Sequence, residues 1–308
     1  MSDLSIPDPA AAHYPQPLDI QHDTDPAQDH GDARRIPHLG HAALFFGIAV
    51  ISFFVSVIGA FVIYIALHPH ANIFGNGTTA SLPPAAIHLA AVAQLIGYAL
   101  TFAICFPVFP HHWQRSFLDG IHWTWRAARL RWWKLILLGI GLSLLADIAE
   151  HFFKAPKETT DILKLLDTPL SAWLTAISGA LIAPVVEEIA FRGFLLPAIA
   201  TAYDWIALER TPAAYNRWRQ TTSHTIPALV LAAVVSSAAF AAMHAGQLHG
   251  AYGPVIILFC VSLALSAVRI RFQSVAASAL VHVSYNSLLF LIMIVMTGGF
   301  RHLDKLTH

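Results

Sequence analysis

The chain has 308 residues, 56% of them hydrophobic and only 12% charged, with 18 basic and 18 acidic side chains in balance. A water-soluble domain carries about 25% charged residues, so most of this chain is composed for a solvent other than water. The zero net charge excludes a broad electrostatic surface for nucleic acid and points to no acidic partner.

Residues 1–38 hold seven Asp and six Pro but few large apolar side chains. Such a segment cannot bury enough surface to offset its ordering entropy, and it reads as a disordered polar tail. It lacks the basic start, apolar middle and small-residue cleavage site of a secretory signal. Apolar runs then follow at 41–67, 85–109, 133–153, 170–202, 225–246, 253–268 and 272–298. About 20 apolar residues in helical form cross a hydrocarbon core of about 30 Å. Only helices or closed barrels satisfy every backbone group in lipid, and these runs are too long and too unalternating for barrel strands. The expected fold is therefore all-α, a polytopic transmembrane helix bundle of about seven spans. It divides into the tail, a region at 39–164 with three spans, and a region at 165–300 with four.

Between the second and third spans, Phe117 to Trp133 mixes Trp123, Trp125, Trp132 and Trp133 with arginines. This composition fits an amphipathic stretch lying in the membrane interface. With seven spans and Arg269 and Arg271 placed in the sixth loop, twelve Lys and Arg fall on one side of the membrane and five on the other. The basic excess predicts a cytoplasmic N-terminus and an external C-terminus. Cys105 and Cys260 lie inside apolar runs and supply neither a disulfide framework nor a CxxC metal pair.

Ionisable groups inside spans cost a few kcal/mol each and need partners or a wet cavity. The fourth run contains Glu187, Glu188 and Arg192 within Pro184-Val-Val-Glu-Glu-Ile-Ala-Phe-Arg-Gly193. Glu188 and Arg192 stand four apart, on one helical face, and can pair. Glu187 points about 100° away toward no local cation, so one carboxylate is neutralised and the other is left for chemistry, as a general base. Pro184 removes a helix hydrogen bond one turn earlier and can bend the helix there. The fifth run carries Phe240 and His244, on one face with Ser236 and Ser237. In the seventh, His282 and Asn286 extend a polar stripe with Ser274, Ser278 and Tyr285, which must face the bundle interior. Asp147, Glu150 and His151 close the third run and read as an interfacial end.

Glu-Glu-xxx-Arg, then Phe-xxx-His, then His-xxx-Asn on three separate spans resembles the CPBP family. This is the group of CAAX prenyl protease type 2 and bacteriocin-processing (Abi) intramembrane peptidases. The resemblance covers about residues 165–298. It implies that Glu187 acts with His244 to activate water, and that His282 and Asn286 hold the tetrahedral oxyanion. Glu188, Arg192 and Phe240 would support them. No span places a Ser, Cys or Asp nucleophile beside a base, so direct water attack is favoured. No cofactor is favoured. A zinc ion is possible, and its ligands would be Glu187, His244 and His282 in a His₂Glu set, but no HExxH pair exists.

The expected activity is an intramembrane endopeptidase cutting membrane-associated or lipid-modified substrates, in a bacterial plasma membrane. Its partners would be membrane lipids and a peptide or protein substrate, with no nucleic acid. The alternatives are a non-catalytic immunity or scaffold protein of the same fold, and a proton-coupled transporter. The absence of a detectable repeat argues against the transporter. The spans set one puzzle: Glu187 and His282 fall near mid-depth, whereas His244 lies near the outer end of its run.

Overall fold

A computed structural model of the chain describes residues 35–68, 84–153, 166, 168–248 and 251–306. The tail at 1–34 and the basic and acidic residues at 154–165 lie outside these. The described residues are helical, without a strand, and include seven helices long and apolar enough to span a membrane. We label α1 Leu39–Leu67, α2 Pro84–Trp113, α3 Phe117–Gly120, α4 Trp125–Leu130, α5 Trp132–Phe153, α6 Pro169–Ile206, α7 Pro212–Gln220, α8 Ile226–His244, α9 Tyr252–Phe272 and α10 Val275–Met296.

Large apolar side chains such as Ile51, Phe54, Ile58 and Ile63 of α1 point outward, and small residues line the helix contacts. That is the pattern expected where lipid competes with protein for apolar surface and close approach supplies the packing energy. Ser56 is buried and returns its hydroxyl to the Ser52 carbonyl at 2.7 Å, and Thr101 does the same to Gly97. Gly97 brings α2 onto α1, because a Cβ there would sit 3.3 Å from the Phe53 Cα. Gly139 brings α5 against α10 still more tightly. A Cβ on it would meet the Val281 carbonyl and lie 2.6 Å from the Ser284 Cβ. Ala228 and Ala232 of α8 pack fully buried against Leu196 and Ala200 of α6. An aromatic core of Phe45, Phe109, Trp113, Phe117, Phe191, Phe194 and Phe240 ties α1, α2 and α3 to α6 and α8.

The interfacial stretch is two short helices rather than one. His122 takes a left-handed φ of 59° between α3 and α4, and its carbonyl accepts the Val275 backbone N–H at 3.0 Å. Ser274 donates to the Thr124 carbonyl at 2.7 Å and also caps α10. The turn between α9 and α10 is thereby seated on this segment, while Trp125, Trp132 and Trp133 stay exposed.

The sixth span is a full 21 residues, Tyr252–Phe272. It therefore swallows Arg269 and Arg271, which the sequence reading placed in a loop. α6 is the outlier at 38 residues. It winds as a π-helix over Ser178–Ile182 and again over Ile189–Leu195. Pro184 and Pro197 each stand two residues beyond a wide stretch. A proline ring clashes with the carbonyl four residues back and cannot donate to it; the looser winding absorbs that defect, as π-bulges do in helices near functional sites.

Candidate active site

The α-helical turn Ala183–Glu188 lies between the two π stretches, and it presents both glutamates. Glu188 is fully buried. Its Oε1 accepts from Arg192 Nη1 at 2.8 Å and faces His282 Nδ1 at 3.0 Å. Arg192, likewise without exposure, donates through Nη2 to the Ser262 carbonyl at 2.9 Å and to its hydroxyl at 2.7 Å. Its guanidinium also lies 5.1 Å from the centre of the Phe240 ring. The i, i+4 pairing read from spacing is therefore one part of a larger buried network.

Glu187 is placed differently. It has no hydrogen bond to a cation of its own helix, and its two carboxylate oxygens look at two imidazoles. Oε1 is 3.8 Å from His244 Nε2, and Oε2 is 3.7 Å from His282 Nε2. Both separations exceed hydrogen-bond length, and a water can bridge either pair only from the side. The other nitrogen of each ring decides its tautomer. His244 Nδ1 lies 2.8 Å from the Phe240 carbonyl, which can only accept. His282 Nδ1 faces the Glu188 carboxylate, which also accepts. A neutral ring at either position must keep its proton on Nδ1, so both Nε2 lone pairs turn toward Glu187. Phe240 stacks 4.6 Å from the His244 ring and 5.8 Å from that of His282, and both are held by its bulk.

The depth puzzle is resolved by helix length. Nineteen residues separate Glu187 from Ile206 and eighteen separate His244 from Ile226, roughly 28 and 27 Å at 1.5 Å per residue. The two climb equally along α6 and α8, although one sits mid-span and the other ends its helix at His244. His282 is seven residues into α10, only about 10 Å, because α10 starts deeper, on the α3–α4 seat.

Asn286 lies one turn beyond His282. It donates Nδ2 to the Gly179 carbonyl at 2.8 Å, in the first π stretch. Gly179 has no room for a side chain, since a Cβ would be 2.7 Å from the Phe290 ring. One amide proton of Asn286 thus fastens α10 to α6. Ser236 and Ser237 are buried behind the site, Ser236 donating to the Phe191 carbonyl at 3.4 Å. Asp147, Glu150 and His151 fall in the last two turns of α5, where His151 bonds back to the Asp147 carbonyl.

Residues 169–288 match the model of a family described as type II CAAX prenyl endopeptidase, Rce1-like. The segment opens at the first turn of α6 and ends two residues after Asn286, so it contains every site residue named above. No curated protein and no solved structure matches the chain. Seven membrane-capable helices and a segment similar to a membrane peptidase family make this an integral membrane protein.

Two members of the buried network escaped the sequence reading, and both lie in the Rce1-like segment. Ser262 is the second partner of Arg192. Arg269 is 5% exposed in the last turn of α9 and donates Nε to the Arg192 carbonyl at 3.3 Å. A serine inside an apolar run carries no signal, but Arg269 did: a sixth run of 16 residues is too short to span unless it takes the arginine in. Removing Arg269 and Arg271 from the loop leaves the basic excess on the same side. Among the described residues, no group of three His, Cys, Asp or Glu is disposed to hold a metal ion.

Proposed function

We propose that the protein is an intramembrane endopeptidase in which Glu187 and the two imidazoles activate water for direct attack on a peptide carbonyl. The observation that carries this reading is the Glu187 carboxylate facing His244 Nε2 and His282 Nε2 at 3.8 and 3.7 Å, with the Glu187 and His244 side chains partly open beside buried Glu188, Arg192 and His282. A water between these groups can donate to Glu187 and to His244 at once. As its oxygen bonds to the carbonyl carbon, its proton passes to Glu187. The protonated carboxyl then delivers that proton to the leaving amine when the carbon–nitrogen bond breaks.

The developing oxyanion needs donors. Neutral His282 offers none toward Glu187; in its doubly protonated form Nε2–H is a donor, and the Glu188 carboxylate at Nδ1 orients the ring. Asn286 holds one amide proton on Gly179 and keeps the other for the same task. Arg192, Ser262 and Arg269 fix Glu188, and through it His282. The mechanism proceeds without a metal. The substrates are membrane-embedded or lipid-modified peptides that reach the hollow between α6, α8 and α10. The protein lies in a plasma membrane with its N-terminus on the cytoplasmic side, as the basic excess of the loops supports.

The test uses purified full-length chain in lipid, mixed with a library of apolar and prenylated peptides, with cleavage read by mass spectrometry. Parent protein should cut and Glu187→Gln should not, with chelator leaving the rate unchanged. Cleavage that survives Glu187→Gln overturns the assignment, and cleavage abolished by chelator overturns the metal-free mechanism. A folded parent that binds peptides but never cuts them favours the immunity or scaffold reading.

A further inference from the structure

Each wide stretch of α6 leaves one backbone carbonyl without a donor from its own helix. In the first, the Ala183 N–H closes on the Ser178 carbonyl, five residues back. The Gly179 carbonyl would take its bond from the next amide along, but residue 184 is proline and has no N–H. In the second, the Leu196 N–H closes on the Phe191 carbonyl in the same way. The Arg192 carbonyl then faces Pro197, again without an N–H. A bare carbonyl inside a span is costly, because lipid offers it no donor.

Both gaps are closed from neighbouring spans. Asn286 of α10 donates Nδ2 to the Gly179 carbonyl at 2.8 Å, and Arg269 of α9 donates Nε to the Arg192 carbonyl at 3.3 Å. Arg269 stands two turns after Ser262 on α9. Arg192 is therefore gripped at both ends by one helix, Ser262 on its guanidinium and Arg269 on its backbone. The two gaps bracket the turn that carries Glu187 and Glu188. Each wide stretch holds one residue more than α winding would, and its relaxation would swing that turn by about 100° relative to the helix beyond. Glu187 would then leave His244 Nε2 and His282 Nε2, which it now faces at 3.8 and 3.7 Å.

We infer that Arg269 is a positioning residue: it supplies the donor that Pro197 lacks and, with Asn286 at the other gap, holds the Glu187–Glu188 turn in register with the two imidazoles. The role is the hydrogen bond to the Arg192 carbonyl, over and above the charge that Arg269 brings near Glu188. The catalytic half of this inference rests on the peptidase reading; the packing half does not.

The test is a cycle of parent, Arg269→Met, Pro197→Ala and the double variant, each as full-length chain in lipid. Three readouts are followed: melting temperature, peptide cleavage well below melting, and the imidazole nitrogen resonances of His244 and His282. Arg269→Met opens the gap. It should melt below the parent, shift both resonances, and lose up to about a hundredfold in kcat with KM unchanged, as a base displaced by about 1 Å does. Pro197→Ala restores an N–H opposite the Arg192 carbonyl, and alone it should fold and cut like the parent. In the double variant that N–H should take the carbonyl, and most of each loss should be recovered. A role through charge alone predicts no recovery, since alanine brings none. Equal losses with and without Pro197→Ala overturn the inference, as does a Pro197→Ala protein that fails by itself. If Arg269→Met does not fold, the double variant decides: folding supports the inference and failure overturns it. Melting that couples while kcat and the resonances stay at parent values overturns the positioning role. A parent that cuts no peptide removes the peptidase reading, and the resonances and melting then decide alone whether Arg269 holds the register.

Discussion

Replacing Arg192 with alanine tests the buried network directly. Arg192 and Glu188 are both without exposure, and the pair shares a bond of 2.8 Å. The substitution leaves Glu188 with His282 Nδ1 in contact and Arg269 as the nearby cation, and it removes the guanidinium from the Ser262 carbonyl and hydroxyl. Breaking a buried pair by removing one member costs about 3–5 kcal/mol in water-soluble proteins, because the survivor stays desolvated. Polar contacts between spans are worth less, averaging about 0.6 kcal/mol in one measured bundle, but those values describe neutral contacts rather than an orphaned carboxylate. A loss of about 3 kcal/mol is therefore the lower expectation. At about 2–4 °C per kcal/mol for a domain of this size, the melting temperature in detergent should fall by roughly 6–12 °C. Glu188→Gln combined with Arg192→Gln should recover part of that loss, since the buried carboxylate is gone and only Arg269, at the end of α9, loses a nearby counter-charge. An Arg192→Ala protein that melts within a degree or two of the parent, with unchanged yield, would refute the reasoning. So would a double variant that is no better than the single one.

Glu187→Gln and His244→Ala should each lower turnover by about 10²–10⁴, the usual worth of a general base, with melting temperatures close to the parent because neither group carries the buried network. Loss of folding in Glu187→Gln would show the carboxylate to be structural. Gly139→Ala should destabilise the protein by about 1–3 kcal/mol, the cost of overpacking, since its Cβ would press on the backbone of α10 at Val281. Because that backbone carries His282, activity measured below the melting transition should fall too; an unaffected enzyme would mean that α10 yields without moving the imidazole. Burial holds the His224 imidazole below its usual pKa, with Arg35 and Arg269 adding to the effect while Asp204 opposes it. The unfolded chain therefore takes up that proton first, near pH 6.5. The stability contribution is present above that pH and is lost as pH falls below it toward the depressed folded value. His224→Gln should flatten the melting temperature between pH 7 and 5 relative to the parent, and an unchanged slope would remove His224 as its source.

The spans were legible because six of the seven apolar runs are long enough to cross a bilayer, and a charge within one has few explanations. Glu187, Glu188, Arg192, His244, His282 and Asn286 stood out for that reason, and helical spacing predicted the Glu188–Arg192 pair. What periodicity could not convey was winding. The two π stretches carry no composition of their own, and their traces are Pro184 and Pro197 just beyond them and the crowded Gly179 within one. Ser262 hides among apolar neighbours. Arg269 was read as a loop residue because a guanidinium at a span boundary has water as its default partner, and only the fold supplies the Arg192 carbonyl instead.

The length of α6 constrains how the molecule sits in its bilayer. A helix of 38 residues is roughly 57 Å long, nearly twice the thickness of the oil layer. Burying all of it would demand an inclination of about 58°, beyond the 40° that marks the steep end for membrane helices. Part of the rod must stand clear of the acyl chains. The stretch that ends in Ile206 is the natural overhang, reaching the headgroup level, and the start of α1 is moored to its Asp204 by Arg35. Severing that mooring should loosen the headgroup-level end of the bundle while the hydrolytic residues, far below the waterline, stay in register.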